Sequence, residues 1–574
     1  MNLLPVPRHM EMTGQVVPAQ SARTTIDASL PPQGYVLRIS EEDVRAEGAD
    51  AAGLFYAEAT LAQLAKLHGG ALPAGVITDH PDLLVRGVML DISRDKVPTM
   101  ASVCAMVDRL AALKVNQFEL YSEHTFAYAN HAQVHAAASP FSAEEIEALD
   151  AFCRARHVEL VPNQNCLGHM NRWLAHEPYR PLAIEPDGFV DPYGLTRPPM
   201  TIEPGHPGSL ALIRELLGEL LPHFTSQRVH VGLDEAWELP HARIGDFIAW
   251  ISTLRALPEL DGREMLMWGD MLAGRADLLA ALPPGVTICE WGYDDWHPYD
   301  QRCAALARAG VPFWVAPGTS SWSSILGRLT NATTTCRIAA EAAVQHGAAG
   351  YLNTDWGDQG HLQQWVISEP PLAYGAAVSW CVSTNADLDL GAALSTHVFD
   401  DPTGRLAEAV LALGDAHRLV TPQFPNMSAV VMNLYYPQLP VGRGFTNGLT
   451  LDELDTLNRC LEEARRAAAL ARPERPDGAQ LISETLFSVD LVALAVRDAV
   501  ARLHVDGTIG AVPEAVRLDL AAELTVLIER YRELWLARNR PGGLTDSVGW
   551  LDNLIAAYLT GQPGPTWGGL PPPR

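Results

Sequence analysis

The sequence predicts an α/β protein: a (β/α)8 barrel of the TIM type, between a small N-terminal α/β domain and a C-terminal helical domain. Three observations predict it. Eight short β-like runs alternate with helical patterns between Leu83 and about Ser395. Carboxylates, amides and indoles recur at the C-terminal ends of those runs. From about Val398 onward the chain reads as helix alone.

The elements follow in order. Residues 1–82 form the first domain. YVLRI, from Tyr35, reads as a strand, and GLFYAEATLAQLAKL repeats Leu54, Ala57, Leu61, Leu64 and Leu67 at helical spacing. Residues 83–397 form the barrel, with the runs GVMLDI, VNQFELY, VELVPNQ, VHVGLDE, MLMWGD, VTICEWG, PFWVAPG and AGYLNTDWG. Among the helices between them, Thr99 and Ser102 open one that carries Val103, Met106, Val107, Leu110 and Leu113. Ser142 and Glu145 make a capping box before Ile146, Leu149 and Phe152. Residues 398–574 form the helical domain, where Leu454, Leu457, Leu461, Ala464 and Ala468 share one stripe. It closes on a Pro/Gly-rich tail, GQPGPTWGGLPPPR, expected to be loosely ordered or to pack through Trp567.

Composition bounds the function. The 574 residues are 48% hydrophobic and 19% charged, which suits large buried cores rather than disorder. With 41 basic and 68 acidic residues the formal net charge is 41 − 68 = −27, which argues against nucleic acid or an anionic membrane as partner. The eight cysteines make no CxxC pair and no cluster with zinc-ligand spacing, so free thiols in a reducing compartment are expected, with no metal and no cofactor. MNLLPVPRHMEMTG lacks a charged segment followed by a long apolar run, and no stretch reads as a membrane span. A cytoplasmic location is the expectation.

The strand ends carry the chemistry. VHVGLDEAWELP closes an apolar run on two adjacent acids, Asp234 and Glu235. A carboxyl beside apolar and aromatic neighbours such as Trp237 suits a general acid, because desolvation favours its protonated form. Consecutive residues of a regular strand face opposite ways, so both acids reach one pocket only where the pleat is lost. Trp268, Trp291, Trp322 and Trp356 read as faces for a sugar ring or as core. Arg94, in LDISRD, reads as a fork for hydroxyls or as an ion-pair partner of Asp91 or Asp95.

RGVMLDISRD, VELVPNQNCLGHM and VHVGLDEAWE, in that order and spacing, resemble glycoside hydrolase family 20, the β-N-acetylhexosaminidases. GLFYAEATLAQL resembles the small α/β domain that precedes their barrel, and the resemblance runs over roughly residues 30–395. It implies a retaining exo-acting enzyme on an oligosaccharide or glycoside, in which the substrate's own 2-acetamido oxygen is the nucleophile. It makes Glu235 the acid/base and Asp234 the residue that orients the acetamide. It implies that Arg94 holds sugar hydroxyls and that Trp268 and Trp291 line the acetamide pocket, with His169, Glu123 and His230 supporting the acid.

The sequence departs from the family pattern at several points. Leu233 stands where a second glycine is usual, and YSEHTFAY replaces the usual polar stretch after the second strand. No counterpart of the acetamide-binding tyrosine shows in APGTSSWSSILGR, where Trp322 or a nearby Ser stands. The eighth-strand Trp-x-Glu aligns with Asn353-Thr354-Asp355, followed by Trp356, so Trp356 is the expected ring platform and Asp355 or Asp358 the reader of hydroxyls. These changes leave GlcNAc, GalNAc, a modified hexosamine or a disaccharide unit open as substrate. The rival readings are a catalytically silent carbohydrate-binding barrel and a metal-dependent hydrolase using His124, His169 or His361. The C-terminal helices are expected to complete the pocket, cap the barrel or form a homodimer contact, with Phe445 and Asn447 as candidate contributors.

Overall fold

The computed structural model describes residues 2–192 and 194–562, so the tail with Trp567 lies outside the described residues. The N-terminal sheet holds β1 (His9–Pro18), β2 (Arg23–Ile26), β3 (Tyr35–Ile39), β4 (Val44–Gly48) and β5 (Ala71–Asp79), in the order β1-β5-β3-β4-β2. The helix Ala51–Leu67, capped by Asp50, packs on it through Tyr56, Ala57, Thr60 and Leu64. The buried stripe thus runs through Tyr56 and Thr60, while Leu54, Leu61 and Leu67 are only half-buried. Reading YVLRI alone finds β3 and misses β1, whose residues are mostly exposed on an edge strand and so lack apolar alternation.

The barrel is closed by eight parallel strands: β6 (Val85–Asp91), β7 (Gln117–Ser122), β8 (Glu159–Gln164), β11 (Arg228–His230), β12 (Glu264–Trp268), β13 (Val286–Trp291), β14 (Phe313–Ala316) and β15 (Gly350–Asp355). A two-stranded hairpin, β9 (Phe189–Val190) with β10 (Thr196–Arg197), interrupts the run between the third and fourth barrel strands. Period-two alternation decides what each strand shows to the interior. Met89, Tyr121, Val161, Leu266, Cys289, Trp314 and Leu352 fill the barrel, while Val88, Leu90, Phe118 and Leu160 face the surrounding helices. The expected caps form: Thr99 accepts from the Ser102 N–H at 3.2 Å, and Ser142 and Glu145 make a reciprocal capping box.

Beyond the barrel, the helices Arg405–Gly414, Leu451–Leu470, Gly478–Leu503, Glu514–Arg538 and Leu544–Thr560 share a second core. Gly478–Leu503 is long and apolar enough to cross a membrane by length and composition. Its Phe487, Val489, Leu491, Val492, Leu494 and Ala495 are fully buried in that core, which accounts for its apolar composition. The bundle is fastened to the C-terminal face of the barrel. Arg540 pairs with Glu145 at 2.8 Å, and the Tyr531 hydroxyl donates to the His361 carbonyl at 3.1 Å.

Candidate active site

The fourth strand is short, ending at His230, and the chain then leaves the pleat. Gly232, Leu233 and Glu235 all take left-handed backbone, with φ of 69°, 75° and 51°. This turn is what lets Asp234 and Glu235 line one pocket. Gly232 is required twice over: its φ is positive, and a Cβ there would sit 2.5 Å from the Asn165 side chain. Leu233 holds a conformation glycine adopts freely, and its fully buried side chain belongs to the barrel core.

Each carboxylate has its own partners. The Asn165 amide donates to Asp234 Oδ1 at 2.8 Å. His169 Nε2 lies 3.1 Å from Asp234 Oδ2 and 3.5 Å from Glu235 Oε2, so its proton faces both acids. Burial alone would lower the His169 pKa, but the Asp234 carboxylate outweighs it and holds the imidazole well above the ordinary histidine range. The same pairing holds Asp234 below its usual value despite burial. The Glu235 backbone N–H donates to Asp270 Oδ2 at 3.0 Å, and the Trp291 indole N–H donates to Asp270 Oδ1 at 3.3 Å. Burial, with Asp234 nearby, pushes the Asp270 carboxyl up to about 7.

Opposite the acids, Asp91 joins the ends of the first and eighth strands. Its Oδ1 accepts from the Ser93 and Arg94 N–H groups at 2.9 and 3.1 Å, and its Oδ2 accepts from the Gly357 N–H at 3.0 Å. Arg94 is thereby set beside Trp356 and Asp358. Its guanidinium lies 3.2 Å from Glu123, 3.4 Å from Asp91 and 3.2 Å from His169 Nδ1, over the faces of Tyr121 and Trp356. Burial, with Asp91 and Glu235 nearby, raises the Asp358 carboxyl to about 7 against the pull of Arg94.

Aromatic rings wall the rest. Trp291 and Tyr293 stack at 5.1 Å, Trp322 meets Tyr293 edge-on at 5.0 Å, and Trp268 lies 5.9 Å from Trp356. The Trp356 indole N–H donates to the Tyr293 hydroxyl at 2.7 Å. The pocket so formed is lined by Arg94, His169, Asp234, Glu235, the four tryptophans, Tyr293, Asp358 and Asn426. Among the described residues no group of three or more His, Cys, Asp or Glu is arranged for a metal ion. Ring faces, a forked guanidinium and a carboxyl pair together suit a sugar ring and acid–base work at a glycosidic oxygen.

The structure corrects the expectations at three places. Asn353 and Asp355 do not reach the pocket. On β15 they share the outward parity, so Asn353 donates to the Pro371 carbonyl at 3.0 Å and Asp355 accepts from Thr319, Ser321 and Ser368. Trp356 and Asp358 take their places, because residue 356 has the inward parity of Leu352. His230 touches neither acid: its Nδ1 accepts from the Gly232 N–H at 3.1 Å and its ring lies 4.3 Å from Trp268. Glu123 pairs with Arg94 at 3.2 Å and lies 3.9 Å from His169 Nδ1, so it faces Glu235 through His169, which lines the pocket itself. Phe445 is exposed, and neither it nor Asn447 lines the pocket.

The residues missed were Asn165, Tyr293 and Asn426. Two of them had a signal, since Asn165 and Tyr293 lie two positions beyond Asn163 and Trp291 and so keep the same facing. Asn426, which accepts from the Trp322 indole N–H at 2.8 Å, comes from the C-terminal part and had none.

The family model "Glycosyl hydrolase family 20, catalytic domain" matches residues 85–322, and "Glycosyl hydrolase family 20, domain 2" matches residues 3–80. Together they span more than half of the chain, which belongs to glycosyl hydrolase family 20. A β-hexosaminidase of Akkermansia muciniphila is 25% identical over 265 residues, covering 41% of this chain and 53% of that protein. A lacto-N-biosidase of Bifidobacterium bifidum is 25% identical over 215 residues, covering 37% of this chain and 18% of that protein. The match thus spans about half of the one relative and under a fifth of the other. Among solved structures, the exo β-N-acetylglucosaminidase of Vibrio harveyi superposes with a TM-score of 0.55 at 17% identity, over 72% of this chain and 78% of that one. The β-N-acetylhexosaminidase of Streptomyces coelicolor A3(2) gives 0.51 at 18% identity, over 72% and 95%. These likenesses concern the fold.

Proposed function

We propose that the protein is a retaining β-N-acetylhexosaminidase that uses its substrate's acetamide as nucleophile. The observation that carries this reading is the turn at residues 232–235, which sets two adjacent carboxylates on one pocket instead of on opposite faces of a strand. Glu235 protonates the leaving glycosidic oxygen. Asp234, held ionised by His169 and Asn165, accepts from the acetamide N–H and steadies the positive charge as the carbonyl oxygen attacks the anomeric carbon. Glu235 then takes a proton from water, which opens the oxazolinium with net retention. Trp268, Trp291 and Tyr293 enclose the acetamide, and Arg94 with Asp358 holds ring hydroxyls. The β-hexosaminidases among the relatives support the substrate class.

The test compares an aryl β-N-acetylglucosaminide and an aryl β-N-acetylgalactosaminide with the matching β-glucoside, which lacks the internal nucleophile. A preference of at least about 10³-fold for the acetamido sugars is expected, since intramolecular attack has a large effective molarity. The first product anomer seen by NMR is β. Equal turnover of glucoside and acetamido glycosides contradicts the reading.

A further inference from the structure

Two loops carry the side of the pocket opposite the acids. One follows β6 and holds Arg94; the other follows β15 and holds Trp356 and Asp358. Both are gripped by the helical region, which lies beyond the residues matched by the family models. In the first loop, the Thr99 N–H donates to the Arg538 carbonyl at 3.0 Å, and the Arg540 N–H donates to the Val97 carbonyl at 2.8 Å. In the second, Asp358, Gly360 and His361 take left-handed backbone, with φ of 44°, 72° and 50°. Residues other than glycine hold that conformation where their surroundings impose it. Here Ser547 donates to the Gly360 carbonyl and Tyr531 to the His361 carbonyl. Trp550, on the helix Leu544–Thr560, lies against Gly360 at the edge of the cleft beside the pocket.

Lys96 stands where the two loops and the helices meet. It is 3% exposed, and its Nζ donates to the Gln363 carbonyl at 2.6 Å. The Gln363 side-chain amide donates in turn to the Trp356 carbonyl at 2.8 Å. The Lys96 backbone N–H donates to the Arg94 carbonyl at 3.0 Å, which also accepts from His361 Nδ1 at 3.3 Å. A continuous set of hydrogen bonds thus runs from Arg94 through Lys96 and Gln363 to Trp356. The ammonium lies 5.8 Å from the ring centre of Tyr531 and 5.5 Å from that of Trp535, both on the helix Glu514–Arg538. It makes no ion pair among the described residues: Glu484 pairs with Arg538, and Asp355 accepts from three hydroxyls. Burial pulls the ammonium from the ordinary 10.5 down to about 7, against the pull of Glu484 and Asp355. A buried cation without a carboxylate partner costs stability that an apolar side chain of similar length does not. What the ammonium does that an apolar group cannot is bind the Gln363 carbonyl.

We propose that Lys96 is a positioning residue of the sugar pocket, which ties the loop of Arg94 to the loop of Trp356 and Asp358 and sets the spacing at which both meet one ring. The inference rests on the hexosaminidase reading, in which Arg94 and Asp358 hold ring hydroxyls.

Full-length wild type, Lys96→Met and Gln363→Met are assayed on aryl β-GlcNAc and on its C3, C4 and C6 deoxy counterparts, with thermal unfolding of each protein. In the wild type, removal of at least one hydroxyl lowers kcat/KM by about 10-fold or more, since a buried polar group is left unpaired. Lys96→Met lowers kcat/KM by about 10-fold or more on the full sugar but by no more than about 3-fold on that deoxy sugar, because a misplaced partner no longer reads the hydroxyl. Its Tm stays at or above that of the wild type, since a buried charge without a partner is gone. Gln363→Met breaks the link to Trp356 while keeping Lys96, and shrinks the same deoxy penalty; it makes the test should Lys96→Met fail to fold. A deoxy penalty unchanged in the variants, whether activity falls on every sugar alike or on none, overturns the positioning role and leaves the hexosaminidase reading standing. A wild type that cleaves aryl β-GlcNAc yet is indifferent to all three hydroxyls overturns the role as well. Inertness of the wild type toward every sugar overturns both.

Discussion

The carboxylate of Asp270 holds the backbone of Glu235: its Oδ2 accepts the Glu235 N–H at 3.0 Å while its Oδ1 accepts the Trp291 indole at 3.3 Å. One side chain thus fixes both the left-handed turn under the acid and a ring of the pocket wall. Asp270→Ala leaves two donors without an acceptor, at a cost of about 1–3 kcal/mol in stability. Misplacing the acid is expected to lower kcat/KM by about 10²-fold, mostly in kcat. Asp270→Asn retains one acceptor oxygen and falls between. Steady-state kinetics with thermal unfolding checks this, and full kcat/KM in Asp270→Ala contradicts it.

Leu233 gives a test of backbone strain. It is fully buried, and its φ is 75°. Truncation to Ala leaves a cavity and keeps the strain; truncation to Gly leaves a cavity and removes it. Both variants are expected to lose about 2–4 kcal/mol. Leu233→Gly should nonetheless equal or exceed Leu233→Ala in stability, by up to about 1 kcal/mol. At an ordinary position glycine is the weaker of the two by about 0.5–1 kcal/mol, so that order in chemical denaturation contradicts the account.

Glu119 sets a pH dependence away from the cleft. It is fully buried inside the barrel and accepts from Gln117 at 2.6 Å and Asn163 at 2.7 Å. Burial pushes its carboxyl from an ordinary 4.5 up to about 7. Between those values the folded protein keeps a proton that the unfolded chain releases, so this group's contribution to stability falls as pH rises. Glu119→Gln removes that dependence. The Gln117 and Asn163 carbonyl oxygens lack partners among the described residues, so a turned amide can meet the new NH2 group. The variant is expected to match wild type near pH 4 and to exceed it near pH 8 by on the order of 3 kcal/mol. Parallel stability curves for the two proteins would sink this.

The barrel was legible because its strands keep one parity over long apolar runs and end on polar residues. The acids were legible for the same reason. At β15 Leu352, Thr354 and Trp356 carry the inward parity, and the resemblance at Asn353 and Asp355 runs against it, so both point away from the pocket. Asn165 and Tyr293 were readable by the same two-residue step. Asn426 and Trp550 were not, because they reach the cleft through tertiary packing of the helical region, and no local period encodes that contact. The loss of pleat at 232–235 is the condition for the two acids to meet; its cause, left-handed backbone at Gly232, Leu233 and Glu235, includes a leucine that no local sequence signature marks.

The central claim is that Glu235 is the acid/base beside an acetamide nucleophile, and the most direct test is Glu235→Gln on two aryl β-N-acetylglucosaminides of different leaving-group pKa. The account predicts a loss of about 10²–10⁴-fold in kcat/KM on the poor leaving group, and a smaller loss on the good one, which needs little protonation. Equal activity of wild type and Glu235→Gln on the poor leaving group would contradict it.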